Sequence, residues 1–196
     1  MDFSETFPFS GPPPALSPDG QFVAAAEGYR LVIRSVDTLE AVQLFSCLDR
    51  IKRVEFCCRS EYILCALEKR PVVQVWCLAD AKWQCTVEEG AAGVQHACWA
   101  PDGQHILVVA DFQIRLTVWS LVTKLCIHLP GPKLGPGGLA FSPDGSMLAL
   151  AERHNCKDFI SLFACDDWRP LAHMAVGSND MASYSLSAAM TRKCAS

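Results

Sequence analysis

A short motif that returns every forty-odd residues constrains this chain more than any other feature. Leu16-Ser17-Pro18-Asp19-Gly20, Trp99-Ala100-Pro101-Asp102-Gly103 and Phe141-Ser142-Pro143-Asp144-Gly145 each place a large apolar residue ahead of a tight turn. A degenerate copy, Phe56-Cys57-Cys58-Arg59-Ser60, falls between the first two, so the anchors Leu16, Phe56, Trp99 and Phe141 step by 40, 43 and 42 positions. In such a turn proline presets φ, aspartate bonds its own backbone, and glycine takes the positive φ that other residues resist. The runs that follow, at 22–26, 63–67, 106–110 and 146–151, are apolar on both parities, which predicts strands buried on both faces. A second series runs in phase with the first. Arg34, Trp76, Trp119 and Phe163 end alternating strands and step by 42, 43 and 44.

A period near 42 with four strands per unit is that of stacked β-propeller blades. The expected fold is all-β, with four-stranded antiparallel blades at 12–46, 52–88, 94–130 and 137–175. Gly-rich or charged linkers separate the later blades, at 88–93 and 130–137. Residues 1–11 read as an N-terminal strand that completes the last blade, or as a frayed tail; Pro8 suits either, since proline is tolerated at a sheet edge. Beyond 175 the pattern fails. Tyr184 sits where a fifth anchor is due, but no Pro-Asp-Gly follows, and the Ser/Ala-rich stretch 176–196 reads as disordered or weakly helical. Propeller blades bury both faces on their neighbours. Four blades with seven-blade curvature leave two open ends; at about six large apolar side chains per end and about 2 kcal/mol each, roughly 10 kcal/mol per end is forgone. That is comparable to the roughly 5–15 kcal/mol that holds a domain together. The sequence therefore reads as an incomplete, open propeller, with a four-bladed ring as the rarer alternative.

Composition bounds the partners. The chain has 196 residues, a formal net charge of −4 and 51% hydrophobic residues. The charge argues against a basic nucleic-acid surface, and no apolar run reaches the roughly 18–20 residues of a membrane span. The start Met1-Asp2-Phe3-Ser4-Glu5-Thr6 lacks the basic and apolar segments of a signal peptide. The 11 cysteines are odd in number and irregularly spaced. They read as reduced, buried, small apolar residues of a cytosolic chain.

At these residues the repeats resemble WD repeats, in degenerate form. Trp76 and Trp119 stand where the family tryptophan does, but the Asp that follows it is replaced by Cys77 and Ser120, and the Gly-His pair ahead of the first strand is absent. The hydrogen-bonded Asp-His-Ser-Trp network of that family therefore cannot form. The resemblance narrows to the WD-repeat proteins of centrosomes and spindle poles through Asp2-Phe3-Ser4-Glu5, Tyr29-Arg30-Leu31-Val32, Gln74-Val75-Trp76, Thr117-Val118-Trp119-Ser120-Leu121 and Cys156-Lys157-Asp158. It covers residues 1–175. It implies a non-catalytic scaffold in microtubule anchoring, spindle assembly and ciliogenesis, partnered by a coiled-coil centriolar-satellite protein; the charge and hydropathy above are what point away from nucleic acid and membrane insertion. The alternatives are a WD adaptor such as a ubiquitin-ligase substrate receptor, or a truncated product without function.

The expected binding residues lie in loops between second and third strands: Arg30, Lys69, Arg70, Arg153, His154, Lys157 and Asp158. The segment 152–158 reads as the longest of these loops. Mixed charge on a rim suits charge-complementary protein contacts, although an ordinary solvated turn is the blander reading. Asp19, Gly20, Trp76, Trp99, Asp102, Gly103, Trp119, Phe141, Asp144 and Gly145 are read as structural repeat residues. Trp83 and Trp168 begin outer strands and are expected to pack on a neighbouring blade. No Gly-x-Ser-x-Gly, His-Glu-x-x-His or Walker pattern occurs, so no catalytic residue, cofactor or metal is expected. His96, His105, His128, His154 and His173 fall about one per repeat. His154 with Cys156 makes a weak metal candidate, and Cys57 with Cys58 a weak redox one.

Overall fold

The computed structural model describes residues 6–7, 10–133 and 135–176. The 176–196 tail beyond Val176, including Tyr184, lies outside the described residues, as do Pro8 and Phe9 of the N-terminal segment. The chain divides into two compact units, one ending at Gly93 and one starting at Val94.

The first unit holds two four-stranded antiparallel sheets, each joined in simple sequence order. One comprises β1 (Ala15–Leu16), β2 (Phe22–Glu27), β3 (Arg30–Ser35) and β4 (Ala41–Ser46). The other comprises β5 (Ile51–Phe56), β6 (Tyr62–Leu67), β7 (Val72–Cys77) and β8 (Gln84–Glu88). The second unit repeats the pattern with β9 (His96–Trp99), β10 (His105–Val109), β11 (Arg115–Ser120) and β12 (Cys126–Pro130), then β13 (Leu139–Phe141), β14 (Met147–His154), β15 (Lys157–Ala164) and β16 (Pro170–Ala175). Among the described residues no sheet closes on itself, and the first and last strand of each stand at the ends of its strand order.

Both-parity hydrophobicity marks the central strands, and these are the buried ones. Ile63 to Leu67 and Ile106 to Val109 are buried throughout, as a strand covered on two faces must be. The outer strands β4 and β16 instead alternate or stay open, with Val42, Leu44 and Leu171 exposed. In the first unit the two sheets share one core, in which Phe45 stacks on Trp76 with ring centroids 5.3 Å apart. In the second, Leu107, Leu116, Leu148, Leu150, Phe163 and Trp168 form the corresponding core.

In the first and last sheets the repeat motif closes the first hairpin through one serine. Ser17 Oγ accepts the Phe22 N–H at 2.9 Å and donates to Asp19 Oδ1 at 2.5 Å, while the Gly20 N–H, at φ 74°, bonds the Ser17 carbonyl. Ser142, Asp144, Gly145 and Met147 repeat this arrangement. In the third copy Ala100 lacks the hydroxyl. There Asp102 takes over, accepting the Gln104 and His105 N–H groups and pairing with His105 Nδ1 at 2.5 Å. In the degenerate copy Cys57 Sγ replaces the serine oxygen, accepting the Tyr62 N–H at 3.2 Å, and Ser60 takes the glycine's positive φ at 59°.

Two expectations are corrected. The segment 152–158 is not a long loop: β14 and β15 run through it, and only Asn155 and Cys156 turn, both at positive φ. A two-residue turn of that kind matches the twist of its flanking strands. The cysteines are not uniformly buried either. Cys47, Cys57 and Cys65 are buried, whereas Cys58, Cys126 and Cys156 are exposed. None of the described cysteines is in a disulfide.

Candidate protein-interaction loops

In the first unit, Arg30, Lys69 and Arg70 are all exposed, Arg30 at the start of β3 and the other two on the turn that follows β6. Arg30 lies over the Tyr29 ring, 5.9 Å from its centroid. The residue that organises this end is Asp49, which the sequence did not single out. One of its oxygens accepts the Arg50 N–H at 2.7 Å and the other the Lys69 N–H at 3.1 Å, stapling the β4–β5 linker to the β6–β7 turn. The Arg50 N–H does most to hold this carboxyl below its ordinary pKa; partial burial works against it, and the Lys69 N–H with the Lys69 and Arg70 charges reinforces it. A neighbouring cleft of about 340 Å³ is lined by Ser10, Gly11, Pro12, Gly28, Ile51 and three charged residues, Arg50, Lys52 and Glu68.

In the second unit, Arg153, His154, Lys157 and Asp158 all fall on the β14–β15 hairpin, with Arg153 opposite Asp158 and His154 opposite Lys157. Asp158, expected on a solvated rim, is 1% exposed. Its carboxylate takes Lys133 Nζ at 2.5 Å and Arg153 Nε at 3.0 Å. Its side chain is thus committed to fastening the 131–133 linker onto the hairpin. Glu152 is buried as well, with one oxygen 3.3 Å from His154 Nε2. Arg153, His154 and Lys157 remain exposed. Lys133 gave no signal in the sequence, because it sits in a Pro/Gly linker 25 positions from its partner. His154 and His173 are not scattered: both ring-pack on Phe159, at 6.2 and 4.6 Å.

The structural residues divide by role. Trp76 and Trp99 are buried, and Trp119 is half-buried. Phe141 packs at the margin of the second unit's core. Gly103 and Gly145 carry positive φ, at 68° and 72°. Asp144 is held down to about 2, chiefly by the Ser142 hydroxyl, with the Ser146 N–H and hydroxyl adding to it. Asp19 is lowered in the same way, first by Ser17. For Asp102 burial acts to raise the pKa, but bonds from Gln104 and His105 outweigh it and the net shift is down. Trp168 is buried, with its ring edge against His105 of the preceding sheet, as expected. Trp83 differs: its ring meets Tyr62 of its own sheet at 5.0 Å.

Of the weak redox candidates, Cys57 is buried in its turn and Cys58 is exposed. Burial raises the Cys65 thiol well above its ordinary range, and raises Cys165 to about 11 with help from the charges of Asp102, Asp166 and Asp144. Among the described residues no group of three or more His, Cys, Asp or Glu side chains converges as a metal site. No described helix is long and apolar enough to cross a membrane.

No family model matches the chain. It is 47% identical over 181 residues to WD repeat-containing protein WRAP73 of Mus musculus, an alignment covering 92% of this chain and 39% of that protein. The chain therefore spans about two fifths of the length of the curated relative it matches. Among solved structures, the β-propeller domain of Myceliophteria thermophila Cps50 (Swd1) superposes with a TM-score of 0.61 at 14% identity, over 84% of this chain and 55% of that one. Kuenenia stuttgartiensis hydrazine synthase does so with a TM-score of 0.62 at 12% identity, over 90% and 53%. At such identities the likeness is one of fold alone. The chain is thus a homologue of a WD-repeat protein over most of its own length, and its sheets are blades of the β-propeller kind.

Proposed function

We propose that this chain is a non-catalytic protein-interaction scaffold. The carrying observation is the set of exposed charged side chains, Arg30, Lys69, Arg70, Arg153, His154 and Lys157, held on hairpin turns and the strand ends beside them. Function on such folds lives in loops that a rigid scaffold positions. Homology to a WD-repeat protein supports the same reading, since WD-repeat propellers generally bind protein partners. The finer proposal rests on the sequence resemblance: a role at the centrosome or spindle pole in microtubule anchoring, spindle assembly and ciliogenesis, with a coiled-coil centriolar-satellite protein as partner.

Affinity purification of the tagged full chain from dividing cells tests both levels. Recovery of a coiled-coil satellite protein, reduced by the triple variant R30E/K69E/R70E, is the expected result. Recovery of cullin-ligase components instead would favour a ubiquitin-ligase adaptor. A folded chain that recovers no protein at all would sink the scaffold reading.

A further inference from the structure

Building on the scaffold reading, we propose that the cleft lined by Arg50 and Lys52 docks an acidic peptide segment of a partner protein. The walls of this cleft are fixed by the main chain. Ser10 forms a parallel bridge with Glu27, donating its N–H to the Ala26 carbonyl at 2.8 Å and accepting the Gly28 N–H at 3.2 Å. The Ile51 N–H in turn bonds the Gly28 carbonyl at 2.9 Å. Gly11, at φ 136°, lies so close that an added Cβ would stand 3.2 Å from the Ile51 carbonyl oxygen. The strap 10–12, the turn at Gly28 and the start of β5 therefore form one hydrogen-bonded frame.

The cations stand on that frame. The β5–β6 register shifts between Ile51 and Arg53, so Lys52 drops out of the ladder. Bulges of this kind re-aim side chains at the functional edges of sheets. Lys69 and Arg70 lie on the adjoining turn, which the Asp49 staple holds beside Arg50. Both Asp49 oxygens are already taken by main-chain N–H groups. Arg50, Lys52, Lys69 and Arg70 are all exposed at this end of the unit, beside Glu68, in a chain whose net charge is −4.

A carboxylate fits this setting, because a guanidinium fork and an ammonium both bind it by charge-assisted hydrogen bonds. A cleft of 340 Å³ admits one or two side chains of an extended segment. Four cations in an acidic chain fall short of the basic stripe with which proteins follow a phosphate backbone.

The test uses the full chain and a fluorescein-labelled hexaglutamate peptide, read by fluorescence anisotropy at low and at physiological salt. The expected result is saturable, salt-sensitive binding that R50E/K52E weakens about tenfold or more, as opposed charges at an interface require. E68Q removes the opposing carboxylate and tightens binding about twofold, the scale of an exposed charge contact. That gain cannot arise from misfolding. K82E, with the same charge change at the other end of β7, leaves the affinity unchanged. Absence of saturable binding overturns the proposal, as does a K82E loss equal to that of R50E/K52E. Tighter binding of a labelled oligothymidylate, lost in the same variants, reassigns the cleft to nucleic acid and overturns it too. A chain that recovers a protein partner from cells but ignores the peptide loses the cleft assignment and keeps the scaffold reading.

Discussion

Ser142 carries the residue-scale logic of this chain. Its hydroxyl satisfies the Met147 N–H at the start of β14 and also donates to Asp144, whose carboxyl is thereby held down to about 2. The folded-state pKa lies below the ordinary value of 3.8, so this turn's contribution to stability is complete above that value. It is lost as the pH falls from 3.8 through about 2. Ser142→Ala should leave the Met147 N–H without its acceptor, costing about 1 kcal/mol in urea unfolding at neutral pH. It should also move the Asp144 carboxyl titration, followed by NMR, up toward 3.8. An unmoved Asp144 titration would refute the assigned cause. The turn itself was legible from Pro-Asp-Gly. The equivalence of Cys57 to Ser17 and Ser142 was not, because a thiol has no place in the turn pattern and only the backbone geometry shows it accepting the same N–H.

At the scale of elements, the strands themselves were the most legible feature. The apolar runs at 22–26, 63–67, 106–110 and 146–151 fall on β2, β6, β10 and β14, and β14 and β15 extend further toward each other than the pattern suggests. Charged residues at 152–154 and 157–158 made that stretch look solvated. Tertiary structure overrode the pattern: Glu152 and Asp158 are buried, and Asp158 is neutralised by Lys133 and Arg153. The Lys133–Asp158 contact ties the linker before β13 to the hairpin beside its turn. Lys133→Met leaves the buried Asp158 carboxylate with only the half-exposed Arg153, so it should cost about 2 kcal/mol, less than a fully stranded charge. The double variant K133M/D158L should be less destabilised than K133M alone, since it removes the buried Asp158 carboxylate that lost its lysine. Thermal and urea unfolding of the three proteins distinguish these outcomes; a double variant worse than the single would contradict the assignment.

At the scale of the whole molecule, thiol exposure gives a direct reading of which strands are covered. Cys58, Cys126 and Cys156 should react with a maleimide in the native state, while Cys47, Cys57 and Cys65 should become modified only on unfolding. Cys165 should lag behind the exposed three at pH 8, because its thiol titrates only near 11. Peptide mass spectrometry of pulse-labelled protein checks each site, and rapid native labelling of Cys57 or Cys65 would mean that the central strands are not covered as described. Sequence by itself determined the all-β class, the four-strand unit, its period and its turns, because strand alternation and turn chemistry are local and repeat along the chain. Tertiary structure alone decided which charges face water. Asp158 is buried against Lys133, 25 positions away, and the Lys69 turn is pinned by Asp49, 20 positions away, and no spacing rule connects either pair.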